Sequence, residues 1–399
     1  MTTPVAPRTA ALVAALVLSA CATPGPEQPA PVPRDARPLG LAAAPTTAPA
    51  PRWWTALGDP ALDALVDRAL ADHPSLALAR ARVARAQALA AGVQASAGPQ
   101  VGLSADLTRQ RYSEHGLVPP AIAGDTRTSA TVQAGLVWSP DLFGRHAADL
   151  AAATGQARAV QAESALAATG LATQVARTYV ALAHRLAQQA LADRQLAQRS
   201  AVLTLTRQRV DAGLDTTQAL RQAEAALAEA RTQRAIGDEP VLLLRQQLAL
   251  LTGQAPDALA GLAPRLAALQ PPLLPPAPGL DLLGRRPDLV AARWRIEAAG
   301  ADLASARAQF YPDVNLSAFV GLSALGLDQL LDLGSRQLGV APAVRLPLFD
   351  GGRLRAQQGA RQADLAAAVA LYDTVLLEAL REAADALGSA QCIGRSNGS

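Results

Sequence analysis

The sequence predicts a mainly α-helical protein with a small β part, built as two structural repeats. Three observations support this fold class. Half of the 399 residues are hydrophobic while only 3% are aromatic, and alanine, the best helix former, dominates. The stretch 145–211 contains almost no glycine or proline. Similar motifs occur in the same order in the first and second halves of the chain. Each half is expected to contribute a long helical hairpin and a two-stranded β-hairpin.

The N-terminal sequence predicts a targeting signal and an extended tether before the folded part of the chain. Residues 1–20 are typical of a signal peptide, because the apolar stretch at 10–18 is too short to span a bilayer as a helix. The run that ends in Cys21 resembles the bacterial lipobox, so we expect Cys21 to be lipidated. Ala22 after it indicates sorting to the outer membrane. The proline- and alanine-rich residues 21–51 are expected to form an extended tether. An ordinary secreted protein with a chance cysteine is the alternative.

Two repeats, expected over residues 52–270 and 280–387, share one plan. In each repeat a helix ends at a turn around a proline, Pro99 or Pro312. A segment then follows in which apolar residues alternate with small or polar ones. The stretch 271–279 contains too many prolines to be helical, so it is expected to link the two repeats.

Four short segments with a period of two residues predict β-strands, two in each half. About ten residues per strand matches the length of a tilted membrane-spanning strand. A soluble antiparallel sheet packed on helices fits the alternation equally well. The segments are 101–107, 130–138, 314–318 and a weaker one from 338 to 346.

The stretch 145–211 predicts one helix of roughly 100 Å, at about 1.5 Å per residue. Leucine, valine and alanine recur along it at steps of three and four residues, which is the spacing of packed helices. The helix is expected to end at Gly213, which can adopt a left-handed backbone. Asp215 is expected to cap the helix that returns through 219–251. Such a rod favours membrane strands over an ordinary soluble domain.

If the strands span a membrane, the chain must be an oligomer. A sheet in lipid must close, because the membrane offers no water to unpaired backbone groups. Four strands cannot close, since bacterial barrels begin at about eight strands. Three copies would give twelve strands, an even number within the known range. Cyclic symmetry would then join the helices into a tunnel that continues the barrel, which is a conduit.

Six motifs occur in a fixed order over roughly residues 53–387. They are Trp53-Trp54 with Gly58-Asp59-Pro60-Ala61-Leu62, ARARVARA at 79–86, RVDAGL at 209–214, RRPDLVAA at 285–292, Phe310-Tyr311-Pro312, and LPLFDGG at 346–352. Together they resemble the TolC-like outer-membrane efflux factors, specifically the NodT-type lipoproteins of resistance-nodulation-division (RND) efflux systems. Each motif alone is weak, whereas the ordered set is specific.

The resemblance implies a trimer with a twelve-stranded barrel and an α-helical periplasmic tunnel, acting as a passive duct for drugs or other small molecules. The implied partners are two sister chains, a periplasmic adaptor protein, an inner-membrane RND pump and outer-membrane lipid, and no nucleic acid. Cys21 would be the lipidation site. Ala212, Gly213 and Leu214 would contact the adaptor at the periplasmic tip, although a plain hairpin turn explains these three residues almost as well.

The second repeat departs from the family pattern because it is too short. Alignment of Arg353 with Arg145 leaves no counterpart for most of the second helical hairpin. Residues 388–399 resemble neither the first repeat nor the family. The second repeat is therefore predicted to be truncated, and we expect this chain by itself to form a defective tunnel.

Other classes of protein are disfavoured. No catalytic constellation or phosphate-binding loop stands out, so neither an enzyme nor a cofactor is expected. Cys21 and Cys392 cannot build a disulfide framework, and the four scattered histidines lack metal-ligand spacing. Every basic residue is an arginine spread among acidic residues, so no basic block forms. A type I secretion duct, a metal-efflux duct and a pore-less coiled-coil envelope lipoprotein stay open, although the paired strands argue against the last.

Overall fold

The computed structural model describes residues 29, 31–34, 50–270 and 284–396, and these residues form seven α-helices and four β-strands. The helices are α1 (Pro60–Asp72), α2 (Pro74–Ser96), α3 (Arg145–Asp211), α4 (Thr217–Ile236), α5 (Asp238–Leu251), α6 (Pro287–Ala308) and α7 (Arg353–Ser396). The strands are β1 (Gln100–Arg111), β2 (Thr126–Trp138), β3 (Asp313–Leu325) and β4 (Arg336–Arg345).

The chain divides into two compact units, and each unit combines stretches from both halves of the sequence. Of the described residues, the first unit comprises 29, 31–34, 84–160 and 289–388, and the second comprises 50–83, 161–270, 284–288 and 389–396. The first unit therefore contains the whole β-sheet. The second contains the turn between α3 and α4.

The sheet has the strand order β1-β2-β3-β4, and every neighbouring pair is antiparallel. Each half of the chain supplies one β-hairpin, and the ladder between β2 and β3 joins the halves. The four predicted strands are confirmed, but they are longer than predicted, at 12, 13, 13 and 10 residues. In β1 the added residues are the polar and charged ones at 108–111, where the apolar alternation fades.

The helices follow the predicted pattern closely. Helix α3 has the 67 residues and both ends that were predicted. The helix expected to return through 219–251 is interrupted at Gly237, which separates α4 from α5. Helix α7 continues past residue 387, where the family-like pattern ends. The predicted signal peptide and the linker 271–279 lie outside the described residues. Among the helices that are described, none is both long enough and apolar enough to cross a membrane.

In the first unit, α6 packs closely on the first turns of α3. A Cβ atom added at Gly155 would lie 3.1 Å from the Cβ of Ala298, so the glycine lets the two helix backbones approach closely here. One turn later, the guanidinium of Arg158 covers the Trp294 ring at 4.4 Å from its centroid. The small residues set the distance between the helices, and the cation–π contact fixes their register.

In the second unit, α1, the middle of α3 and α5 share a hydrophobic core in which Leu182 and Leu248 are fully buried. Tyr179 lies in the same core, and its hydroxyl donates a 2.6 Å hydrogen bond to Asp59. Asp59 also caps α1 by accepting a hydrogen bond from the backbone N–H of Ala61. Burial, together with this hydrogen bond to the carboxylate, raises the pKa of Tyr179.

Candidate functional site: an amphipathic sheet and a helical tip

One face of the sheet is apolar across all four strands. The register places Leu103, Ala134, Val320 and Leu338 in one row, one residue from each strand. Leu103 and Leu338 are 77% and 80% exposed, and Val320 is 61% exposed. A continuous apolar surface of this kind is unfavourable in water and favourable against lipid.

The opposite face of the sheet is polar. Gln337 donates a 3.1 Å hydrogen bond to Gln133 across Gly321, which is paired with both of them in the register. Next to this bridge the hydroxyls of Thr131 and Ser323 lie 3.1 Å apart. Alternation of apolar and polar faces is the arrangement of strands that separate lipid from a water-filled lumen.

Within the described residues, no further strand pairs with the outer edges of β1 and β4, so the sheet has two open edges. All twelve residues of β1 are exposed. Soluble proteins shorten, charge or cover such edges, because a long apolar edge pairs with another chain. Two long, exposed edges of this kind are suited to pairing with further strands.

The turn between α3 and α4 forms the second candidate site. Gly213 has a φ of +72°, in the left-handed region, and its N–H donates to Val210 O at 2.9 Å. The N–H of Leu214 donates to Arg209 O at 2.8 Å, which completes the end of α3. Ala212, Gly213 and Leu214 are all exposed. The sequence was therefore right that Gly213 ends the long helix.

The predicted cap of the returning helix was wrong by one residue. Thr216, not Asp215, caps α4, since its hydroxyl accepts a hydrogen bond from the N–H of Ala219. Asp215 instead accepts from the N–H of Thr216 and lies 3.5 Å from the guanidinium of Arg209. Both residue types are good caps, so the choice depends on the ion pair across the turn, which the local pattern does not reveal.

Comparison with known proteins decides what this arrangement is. A model of the outer membrane efflux protein family matches residues 65–262 and 280–395. The chain belongs to this family. An efflux protein of this family is a duct in the outer membrane with a periplasmic helical tunnel, and it is not an enzyme.

Curated relatives cover most of this efflux protein. The chain is 35% identical over 365 residues to the fusaric acid resistance protein FusA of Burkholderia cepacia. The aligned residues cover 89% of this chain and 69% of FusA. It is 32% identical over 344 residues to the multidrug resistance outer membrane protein MdtP of Shigella flexneri, which spans 84% of this chain and 70% of MdtP.

Solved structures of outer-membrane channels share the fold. The outer membrane protein VceC of Vibrio cholerae is 36% identical, with a TM-score of 0.80, over 86% of this chain and 82% of VceC. The outer-membrane channel OprN is 27% identical, with a TM-score of 0.79, over 92% of this chain and 82% of OprN. These likenesses confirm the mainly helical fold with two repeats and a four-stranded sheet.

In both halves of the efflux protein, an aspartate accepts backbone hydrogen bonds at the start of the long helix that follows the strands. Asp141 accepts hydrogen bonds from the N–H groups of His146 and Ala147 at the start of α3. Asp350 accepts from the N–H groups of Gly352 and Leu354 at the start of α7. Burial alone would raise the pKa of Asp141, but these backbone hydrogen bonds outweigh it and lower the pKa. The backbone hydrogen bond from Leu354 lowers the pKa of Asp350 most, and the one from Gly352 lowers it further.

The structure brings together only some of the predicted site residues. Ala212, Gly213 and Leu214 form one exposed turn, and their contact with an adaptor stays a prediction. Cys21 lies outside the described residues. The polar bridge between Gln133 and Gln337 was missed, because it needs the register of three strands, two of which are far apart in the sequence. Within the described part of the chain, no group of His, Cys, Asp and Glu could hold a metal ion.

Proposed function

We propose that this chain is the outer-membrane channel of a tripartite RND-type efflux pump, through which drugs or other small organic molecules leave the periplasm. The single observation that supports this most strongly is the amphipathic sheet with two open edges, because it suits a lipid-embedded wall shared between chains. The relatives named for resistance to fusaric acid and to multiple drugs support small-molecule cargo. The duct is passive, so the pump selects the cargo.

Three chains form the channel. Each contributes four strands, and the β1 edge of one chain pairs with the β4 edge of the next, which closes a twelve-stranded barrel. The polar faces, with the hydrogen bond between Gln133 and Gln337, then line the lumen. The apolar rows that contain Leu103 and Leu338 face lipid.

The periplasmic adaptor binds the turn of Ala212, Gly213 and Leu214. Leu214 is 71% exposed at the end of a helical hairpin. An exposed leucine on a rigid turn offers an apolar anchor to a partner, with polar residues around it. The left-handed backbone at Gly213 fixes the direction in which Leu214 projects.

Cys21 attaches the chain to lipid in the outer membrane. The support is the lipobox-like run before it and the tether-like composition after it. Labelling with a palmitate analogue tests this assignment directly. The wild type should label and the Cys21→Ser variant should not, whereas equal labelling of both would refute the anchor.

The export role is tested by complementation of a strain that lacks its own outer-membrane channel and keeps the cognate adaptor and pump. The proposed function predicts that the wild-type chain restores tolerance to small-molecule drugs, and this result would overturn the expectation from the sequence that this chain by itself forms a defective tunnel. Leu214→Glu should abolish this tolerance, because a charge at the turn removes the apolar anchor. Leu117→Glu is the matched control, since Leu117 is a fully exposed leucine in the loop between β1 and β2, and it should retain tolerance.

Two results would contradict the proposed function. A wild-type chain that restores metal-ion tolerance or protein secretion, but not drug tolerance, would favour the other ducts considered from the sequence. A Leu214→Glu variant that assembles and complements as well as Leu117→Glu would remove the turn from adaptor binding.

A further inference from the structure

Strand β4 has the weakest intrinsic tendency of the four strands to form a strand. It has 10 residues, the fewest of the four, and it contains Gly339 and Pro342. A glycine has no side chain to pack in a sheet, and a proline cannot donate a ladder hydrogen bond. Strand β4 nevertheless pairs with β3 along all of its residues. Contacts other than the backbone ladder are therefore needed to favour this register.

The apolar face of β4 contributes little to that register. Leu338, Val340 and Val344 are 80%, 69% and 69% exposed. Side chains that project freely from a sheet make weak cross-strand contacts, and a strand without a buried face is prone to slip. The contacts that hold β4 in place are therefore expected on its polar face.

Two side-chain hydrogen bonds connect the polar face of β4 to other strands. One is the bond from Gln337 to Gln133, which reaches across β3 to β2. In the other, the hydroxyl of Ser317 donates a 3.1 Å hydrogen bond to the backbone oxygen of Ala341, which is the ladder partner of Ser317. Each bond joins groups that face each other in only one register.

Between these two hydrogen bonds, the ring of Phe319 covers its ladder partner Gly339. A Cβ atom added at Gly339 would lie 2.7 Å from both Cε1 and Cζ of Phe319, so the ring fills the space that a side chain would need. Phe319 is half-buried, and it is the only aromatic residue on the polar face of the four described strands. An aromatic ring that covers a glycine of an edge strand fixes the register of that strand.

We propose that Phe319 is a positioning residue for the seam between chains, because its ring on Gly339 holds β4 in the register in which the free edge of β4 meets β1 of the next chain. This role rests on the proposed trimeric channel. Without the ring, β4 can shift by two residues and still keep its apolar face towards lipid. A shifted edge offers its backbone groups to the neighbouring β1 at the wrong level.

Disulfide mapping of the seam reads this register directly. In a Cys392→Ser background of the full-length protein, Leu103→Cys on β1 is combined in turn with Leu338→Cys, Val340→Cys or Val344→Cys on β4. Within one chain, β1 and β4 are three strand spacings apart, roughly 14 Å. A disulfide needs Cα atoms within about 7 Å, so every disulfide between these positions joins two chains. One pair should dominate after oxidation of the detergent-purified protein.

Phe319→Ala should spread the cross-links over neighbouring pairs. We expect the ratio of the main pair to the others to fall about two- to fivefold, which is the effect of one cross-strand contact. Val320→Ala is the matched control, since Val320 is the next residue of β3 and is 61% exposed on the apolar face. It should keep the wild-type ratio. A loss of stability alone would lower the yield of all pairs without changing their ratio.

Gly339→Ala separates the ring contact from other effects of the substitutions. In the wild-type chain the added Cβ displaces the ring, so Gly339→Ala should lower the ratio as Phe319→Ala does. In the Phe319→Ala background the same change meets no ring and should lower the ratio no further. Equal effects of Gly339→Ala in both backgrounds would overturn the proposal. If Phe319→Ala fails to assemble, Ser317→Ala decides, because it removes only a hydroxyl beside the ring and should also lower the ratio.

The outcomes distinguish this role from the channel itself. Strong cross-links between chains, with the same ratio in wild type and Phe319→Ala, would contradict the role of Phe319 and leave the shared barrel intact. No cross-linked pair of chains in any wild-type combination would contradict the shared barrel, and the role of Phe319 would fall with it.

Discussion

Among single residues, Tyr179 places a polar hydroxyl group in the hydrophobic core of the second unit. Its side chain is 1% exposed, and its hydroxyl is satisfied by the carboxylate of Asp59. The same carboxylate caps α1 through the N–H of Ala61. This hydrogen bond therefore connects the middle of α3 to the beginning of α1. Without it, polar atoms of both side chains would lack a hydrogen-bond partner in apolar surroundings, which is unfavourable.

Removal of the Tyr179 hydroxyl should destabilise the protein. We expect Tyr179→Phe to lower the free energy of unfolding by about 1–2 kcal/mol, because the buried hydroxyl and its hydrogen bond to the half-buried Asp59 carboxylate are lost. The measurement is denaturant unfolding of the detergent-solubilised protein. Tyr372→Phe is the control, since the Tyr372 hydroxyl makes no hydrogen bond within the described residues. Equal stability of the two variants would refute this role.

The raised pKa of Tyr179 also predicts a dependence on alkaline pH. Folding raises this pKa above its unfolded value of about 10. The stabilisation is therefore complete below about pH 10 and is lost as the pH rises through the folded pKa. The stability difference between wild type and Tyr179→Phe should narrow in this alkaline range, and a difference that stays constant up to the folded pKa would contradict the assignment.

The two glycines within α3 should respond oppositely to alanine. At Gly170 nothing within the chain lies within 4 Å of an added Cβ, so Gly170→Ala should stabilise by up to about 1 kcal/mol through helix propensity. At Gly155 the added Cβ meets Ala298 at 3.1 Å. Overpacking should cancel that gain or cost about 1–3 kcal/mol. Thermal unfolding of both variants checks this, and an equal gain at both sites would exclude the close helix contact.

At the scale of elements, both helices that leave the sheet begin with a carboxylate cap. Asp141 and Asp350 occupy equivalent positions in the two halves and accept backbone N–H groups from the first turn. The two carboxylates therefore satisfy backbone N–H groups at the points where α3 and α7 begin. Since folding lowers both pKa values, the stabilisation is present above about pH 4 and is lost as the pH falls through the folded pKa.

Replacement of both capping aspartates by asparagine should reduce the loss of thermal stability at acidic pH. The double variant Asp141→Asn, Asp350→Asn can still cap but cannot titrate, so its melting temperature should fall less between pH 6 and pH 3 than that of wild type. Asp257→Asn serves as control, because Asp257 is exposed and its side chain has no hydrogen bond within the described residues. A fall as steep as that of wild type would show that the caps do not control acid sensitivity.

Elements were predictable where one local signal dominated. Helix α3 was bounded correctly because glycine and proline are nearly absent between two clear breaks. The strands were found but underestimated, since their outer ends, such as residues 108–111, carry polar residues that still pair in the ladder. The cap of α4 was misplaced by one residue because Asp215 is drawn to Arg209 across the turn. Local composition thus fixes an element and its type, while tertiary contacts set its last residues.

At the scale of the whole molecule, the β2–β3 ladder joins two halves that lie far apart in the sequence, with pairs such as Leu136 and Ala318. Repeat symmetry predicted one hairpin per half, but alternation alone could not choose between a soluble and a membrane sheet. The polar row through Gln133 and Gln337 combines residues from three strands. Such sites depend on register, so the sequence could not reveal them.

We expect the open edges of β1 and β4 to be completed by sister chains in a membrane. Native mass spectrometry of the full-length, detergent-purified protein counts the chains in each particle and so tests this pairing. Three chains per particle, with dissociation or aggregation when detergent is removed, is the predicted result. A single chain that stays monomeric in water without detergent would contradict the claim.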